Sequence, residues 1–227
     1  MSELDFEPFL LSFKLAGITT LILFIIALPI SWWLSQTKWR FKSFVEALTS
    51  LAIVLPPSVL GFYILIALSH NSPLGAFFEE TFDIKLVFNF TGLVIASCFY
   101  SFPFMVQPLQ SGFESLDNHM IEASYISGKS KIKTLFKVAL PNIKPALVTS
   151  IIVTFAHTVG EFGVVLMVGG SIPGETKVAS VAIYEMVEIM DYEMAHIYSA
   201  IMILISFIVL LSVYIFNRSQ NKKLGYR

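Results

Sequence analysis

Residues 11–34 read LSFKLAGITTLILFIIALPISWWL, and Lys14 is the only ionisable side chain among them. A helix rises 1.5 Å per residue, so about 20 apolar residues cross the ~30 Å hydrocarbon core of a bilayer. A barrel strand crosses in about 10 residues of alternating polarity, and this run does not alternate. Inside lipid, every backbone amide must find its partner within a helix or a closed barrel. The stretch therefore predicts a transmembrane α-helix. Lys14 lies near one end, where its stem can run along apolar surface and bring the ammonium to the interface. Trp32 and Trp33 close the other end, with Trp39 just beyond, as an interfacial aromatic belt.

Four further runs of the same kind lie at residues 47–68, 86–106, 146–168 and 197–216. The expected fold is an all-α integral membrane protein of about five transmembrane helices, residues 1–227 forming one transmembrane domain. Hydrophobic residues make up 56% of the chain and charged residues only 14%. Soluble domains carry about 25% charged residues, so the excess apolar surface here needs lipid to cover it. A formal net charge of −1 leaves no global basic field, which argues against nucleic acid as a partner. Cys98 is the one cysteine, which rules out an internal disulfide or a multi-cysteine metal site. His70, His119, His157 and His196 are scattered, so neither a metal nor a cofactor is expected. Glu3, Asp5 and Glu7 stand where a cleavable signal peptide would carry Lys or Arg, and none is expected.

Charge is segregated between the runs. Lys38, Arg40 and Lys42 lie between the first and second. Lys129, Lys131, Lys133, Lys137 and Lys144 lie between the third and fourth, and Arg218, Lys222, Lys223 and Arg227 follow the fifth. The opposite side keeps only Lys14, Lys85 and Lys177, with most of the acids. Cytoplasmic loops collect Lys and Arg, so the N-terminus is expected outside and the C-terminus inside. Pro56 and Pro57 fall in the middle of the second run. Each removes a backbone donor, so they predict either a packing kink or a bend lining a pathway.

The cytoplasmic loop 110–144 is too polar for lipid and too periodic for a plain linker. Ile121, Tyr125 and Ile126, then Ile132, Leu135 and Phe136, recur at helical spacing and predict two short helices. Asn118 is the expected N-cap of the first, with Glu122 in its early turns. Gly128 allows the first helix to end, and Pro141 is expected to end the second.

Within this loop Glu122-Ala123-Ser124, three residues, Gly128, nine residues and Val138-Ala139-Leu140-Pro141 resemble the EAA loop of ABC-importer permeases. That pattern reads Glu-Ala-Ala, three residues, Gly, nine residues, Ile-x-Leu-Pro. Ser124 and Val138 are the departures. The resemblance implies a type I ABC-importer permease (MetI-like) fold. It also implies that Glu122, Ala123, Ser124, Gly128, Leu140 and Pro141 belong to a coupling element that docks on a separate ATPase subunit. Gly128-Lys129-Ser130 also looks like the end of a phosphate-binding loop. That motif needs a glycine where Ala123 stands, and a preceding buried strand. ATP hydrolysis is therefore assigned to a partner, and the chain itself is not expected to be an enzyme.

The segment Phe155-Ala156-His157-Thr158-Val159-Gly160-Glu161-Phe162-Gly163, then Ile172-Pro173-Gly174-Glu175-Thr176 and Ala182-Ile183-Tyr184, is similar to the molybdate permease branch. Leu55-Pro56-Pro57-Ser58-Val59-Leu60-Gly61-Phe62-Tyr63 is similar to the same branch. Tungstate and sulfate permeases are close kin and stand as alternatives. The resemblance implies a homodimer in a bacterial or archaeal cytoplasmic membrane, two ATPase subunits below, and an extracytoplasmic oxyanion-binding protein above.

Glu161 is the only acid within a predicted span, with His157 four residues earlier. A carboxylate repels a dianion, so a gating or structural role is expected for Glu161, held by His157, a backbone donor or a partner subunit. A proton relay through the two is a further option. Gly160 and Gly163 allow close helix contact or hinging. Residues 177–196 look amphipathic and too charged to span, with Val178, Val181, Tyr184 and Met186 against Glu185, Glu188 and Asp191. An ion-coupled secondary transporter would show inverted repeats and charged pathway residues, and a membrane enzyme would show clustered acid–base groups. Neither pattern is present. Thr19, Ser50, Ser58, Thr149, Ser150 and Thr154 are pore-lining candidates by polarity alone.

Overall fold

The computed structural model describes residues 4–223, so Glu3 and Arg227 lie outside the described residues. The helices are α1 (Glu7–Gln36), α2 (Lys42–Val54), α3 (Pro57–Leu68), α4 (Pro73–Phe82), α5 (Phe90–Glu114), α6 (Asn118–Ile126) and α7 (Lys131–Thr134). A π-helical turn (Leu135–Ala139) follows, then α8 (Leu140–Asn142), α9 (Lys144–Val159), α10 (Gly163–Gly169), α11 (Ala179–Glu188) and α12 (Tyr192–Lys223).

α1, α5 and α9 pack together at the centre. Leu11, Leu15, Thr19, Leu23, Ala27, Ser31 and Leu34 of α1 recur every three or four residues and form one buried strip. The outward face of the same helix is equally apolar, with Leu10, Leu21 and Ile25 more than 60% exposed. A helix in water would be polar there; α1 is instead solvated by lipid. Polar contacts supply the direction that apolarity cannot. The Ser31 hydroxyl donates to the Val106 carbonyl at 3.2 Å, and Ser101 shares a hydrogen bond with Thr158 at 2.9 Å. Near the N-terminus the Tyr198 hydroxyl donates to the Asp5 carbonyl at 2.7 Å, clasping the N-terminal segment to α12. Lys14 Nζ sits 4.6 Å from the centre of the Phe90 ring. Trp32 packs edge-on against Phe113, whereas Trp33 and Trp39 are exposed.

The predicted second span is two helices, not one kinked helix. The chain turns by 109° between α2 and α3. Single prolines inside α1 and α5, such as Pro29 and Pro103, leave those helices continuous. A tandem pair does not, because the residue before a proline is pushed out of the helical region. Leu55 precedes Pro56, and Pro56 precedes Pro57; both are extended, with ψ of 136° and 135°. The predicted fourth span is likewise interrupted, α9 stopping at Val159 and α10 starting at Gly163.

Other boundaries also move. α5 starts at Phe90, capped by Asn89, and runs on to Glu114 because Leu109 and Phe113 continue its buried strip. Asp117, not Asn118, caps α6, its carboxylate accepting from the His119 amide at 2.9 Å. Pro141 does not end its helix. The chain stays helical through Asn142, and the 83° turn toward α9 falls at Ile143. α11 buries Val181 and Ala182, but Tyr184 is exposed and donates to Glu188 at 2.7 Å.

Candidate functional site

Two regions carry the sequence-derived site residues. The first is the element from α6 to α8. Gly128 adopts φ +76°, and two hydrogen bonds close α6 around it, Gly128 N to Tyr125 O at 2.9 Å and Lys129 N to Ser124 O at 3.2 Å. This is a Schellman ending, which requires a left-handed residue after the helix. The Ser130 hydroxyl caps α7 by accepting from the Lys133 amide at 3.3 Å. Gly128-Lys129-Ser130 thus joins two helices, and no strand precedes it among the described residues.

Ser124 and Thr134 are both buried, and their hydroxyls meet at 2.9 Å. Ile121, Leu135, Ala139 and Ile143 join the same core as Leu34, Leu109 and Phe113. The element is therefore a packed extension of α1 and α5. Its free side is apolar: Ile126 is 88% exposed and Ile132 70%, with Phe136, Tyr125 and Met120 also open. Glu122 and Ala123 are exposed too, Glu122 facing His119 at 3.7 Å. Ile126 and Ile132 stand out in the sequence by their helical spacing, which reads equally well as a buried face; the structure shows them open.

The π turn was also not foreseen. A proline ring clashes with the carbonyl four residues before it, which for Pro141 is that of Lys137. A wider turn across Leu135–Ala139, closed by Leu140 N to Leu135 O, relieves that clash and lets the helix run past Pro141.

The second region joins the two helix breaks. A β-carbon on Gly163 would lie 2.8 Å from Pro57 Cβ, and one on Gly61 would lie 2.9 Å from Met167 Cβ. α3 and α10 therefore touch at backbone distance, break against break. Gly160 makes no such approach, its nearest neighbours being carbonyls of its own turn at 3.7 and 3.8 Å. Glu161 is 5% exposed, and its Oε1 accepts from the Val164 amide at 2.7 Å. Its carboxylate thus caps the restarting helix, where negative charge is favoured. The Ser180 hydroxyl donates to the Glu161 carbonyl.

His157 does not pair with Glu161. Four-residue spacing puts side chains on one face only while the helix continues, and α9 ends between them. His157 lies between Tyr100 and Phe104, with ring centres 4.3 and 3.6 Å away, and the Tyr100 hydroxyl is 3.4 Å from Nδ1. Among the described residues no group of three or more His, Cys, Asp or Glu could hold a metal ion.

Residues 16–226 match the family model described as "Binding-protein-dependent transport system inner membrane component". The chain belongs to this family. Within it, the chain is 43% identical over 214 residues to the molybdenum transport system permease protein ModB of Azotobacter vinelandii, covering 94% of this chain and 95% of that one. It is 31% identical over 207 residues to the probable sulfate transport system permease protein cysT of Prototheca wickerhamii, covering 91% and 80%. The fold is shared with the MetNI methionine ABC transporter in inward-facing conformations, with a TM-score of 0.72 at 14% identity over 93% of this chain and 94% of that one. As a member of this family, the protein is an inner-membrane component of a transport system.

Proposed function

We propose that the chain is the permease subunit of an ABC importer that carries a tetrahedral oxyanion, molybdate first, into the cytoplasm. The observation that carries this reading is the 43% identity, across almost the full length of both chains, to a molybdenum permease. Sulfate is the second reading, supported by 31% identity over 80% of a sulfate permease. Tungstate, chemically close to molybdate, belongs in the same comparison.

In this reading two copies form the membrane body. N-termini lie outside and C-termini inside, the orientation favoured by the basic loops. Two ATPase subunits dock beneath α6 to α8, and an oxyanion-binding protein docks outside. The exposed Ile126, Ile132 and Phe136 supply an apolar contact for the ATPase, while the buried Ser124–Thr134 bond and Ile121 make α6 stiff enough to pass on its motion. ATP-driven closure pulls α6. The motion enters α1 and α5 through the shared core and reaches the α3–α10 contact, where both spans are already broken.

The test is uptake of labelled molybdate, tungstate and sulfate into proteoliposomes holding the permease with its ATPase and binding protein. ATP-dependent molybdate uptake that sulfate does not compete away is expected. Uptake of sulfate alone favours the second reading, and undiminished uptake without ATP overturns both.

A further inference from the structure

The cytoplasmic half of the seam between α2 and α5 carries a ladder of polar side chains that the coupling element and the helix breaks leave unused. Lys42 Nζ lies 2.8 Å from Glu114 Oε1 and 3.5 Å from Glu46 Oε1. One turn on, Gln110 Nε2 donates to Glu46 Oε1 at 2.6 Å and to Glu114 Oε1 at 3.0 Å. A further turn on, Gln107 Nε2 donates to Ser50 Oγ at 2.9 Å. Positions 42, 46 and 50 ascend one face of α2, while 114, 110 and 107 descend one face of α5.

Every member of the ladder is at least partly open. The other side of α2 presents exposed Phe44, Leu48 and Leu51. One helix thus has two open faces of opposite character. The apolar face suits lipid. The polar face would leave amide, hydroxyl and charged groups without water in lipid, so it turns away from lipid, toward protein or an aqueous space.

We propose that this seam lines the cytoplasmic half of the transport pathway, and that Ser50 and Gln107, at its deep end, form a transit contact for the oxyanion. The ligand class rests on the importer reading above; the wet seam does not. After their mutual bond, Gln107 Nε2 keeps a second proton and Ser50 its hydroxyl proton. No acceptor takes either among the described residues. Two adjacent neutral donors match two oxygens of a tetrahedral anion. Lys42 is the ladder's only cation, and it is held between Glu46 and Glu114 rather than offered as a trap. Neutral donors bind loosely enough for onward release, which flux requires.

The test uses the assembled transporter in proteoliposomes, with Cys98→Ala removing the one native thiol. Gln107→Cys, Ser50→Cys and Leu48→Cys are treated with a charged, membrane-impermeant thiosulfonate. The first two are expected to label about tenfold faster than Leu48→Cys, which faces lipid. Equal or slower labelling overturns the wet seam whatever the cargo is. In the second arm, Gln107→Leu is expected to lower molybdate uptake about fivefold at an unchanged amount of assembled complex. Unchanged uptake overturns the transit contact. Rapid labelling in a transporter that never takes up molybdate leaves the seam standing and refutes the importer's assigned cargo instead.

Discussion

Ser124 and Thr134 meet through their hydroxyls at 2.9 Å, both buried, and this bond ties α6 to α7, the helix that follows it. Ser124 is one of the two departures from the EAA pattern, and here the departure has a partner. Ser124→Ala alone strands the Thr134 hydroxyl, at a cost of about 1–3 kcal/mol. Adding Thr134→Val removes both polar groups and is expected to recover most of that loss. Thermal unfolding of the single and double variants in detergent measures the difference; equal losses would mean the bond carries no weight.

Ile126 is expected to anchor the ATPase. Its truncation, Ile126→Ala, removes the most exposed large hydrophobic side chain of α6 and should weaken association by about 1–2 kcal/mol, roughly tenfold in affinity. Co-purification at graded ATPase concentrations reads the change. In the proteoliposome uptake assay Glu122→Lys should abolish coupling of hydrolysis to uptake with membrane insertion intact.

Gly163 and Gly160 should respond differently, although they stand three residues apart. A side chain at Gly163 drives into Pro57, so Gly163→Val is expected to destabilise by about 1–3 kcal/mol. Gly160→Ala meets only ordinary contacts and should be tolerated. Melting temperature and uptake, measured side by side, separate the two.

Glu161 caps α10, so Glu161→Ala is expected to cost about 0.5–2 kcal/mol by releasing the Val164 amide. Glu161→Gln keeps an acceptor oxygen and should lose less. If uptake falls equally in both, the charge itself matters, and a cap alone would not explain the site.

Much of this architecture was legible in the sequence because lipid imposes one rule, that backbone amides be satisfied internally. The runs around α1, α5 and α12 needed nothing more. Boundaries failed where one residue's geometry overrode the hydrophobic pattern. Hydropathy is blind to the difference between Pro29, which α1 absorbs, and Pro56-Pro57, which end a helix. It is equally blind to the stop at Val159, which separates His157 from Glu161. The short helices of loop 110–144 were legible from spacing, but their outward and inward sides were not. Ile121 and Ile126 look alike in the sequence, yet one is buried and the other is 88% exposed. The polar ladder escaped because its rungs come from α2 and α5, far apart in the chain and paired only by folding.

The tandem proline also bears on how this protein is made. α2 and α3 have 13 and 12 residues, and at 1.5 Å per residue neither spans a ~30 Å core alone. Their junction offers lipid several unpaired carbonyls until something covers it. The helix that does so, α10, is translated only after α5 to α9 have been made. During biogenesis the nascent α2–α3 hairpin must therefore wait, sheltered by the insertion machinery or held at the interface. Synthesis through α10, rather than the passage of each segment, is therefore the expected point at which this junction is closed to lipid.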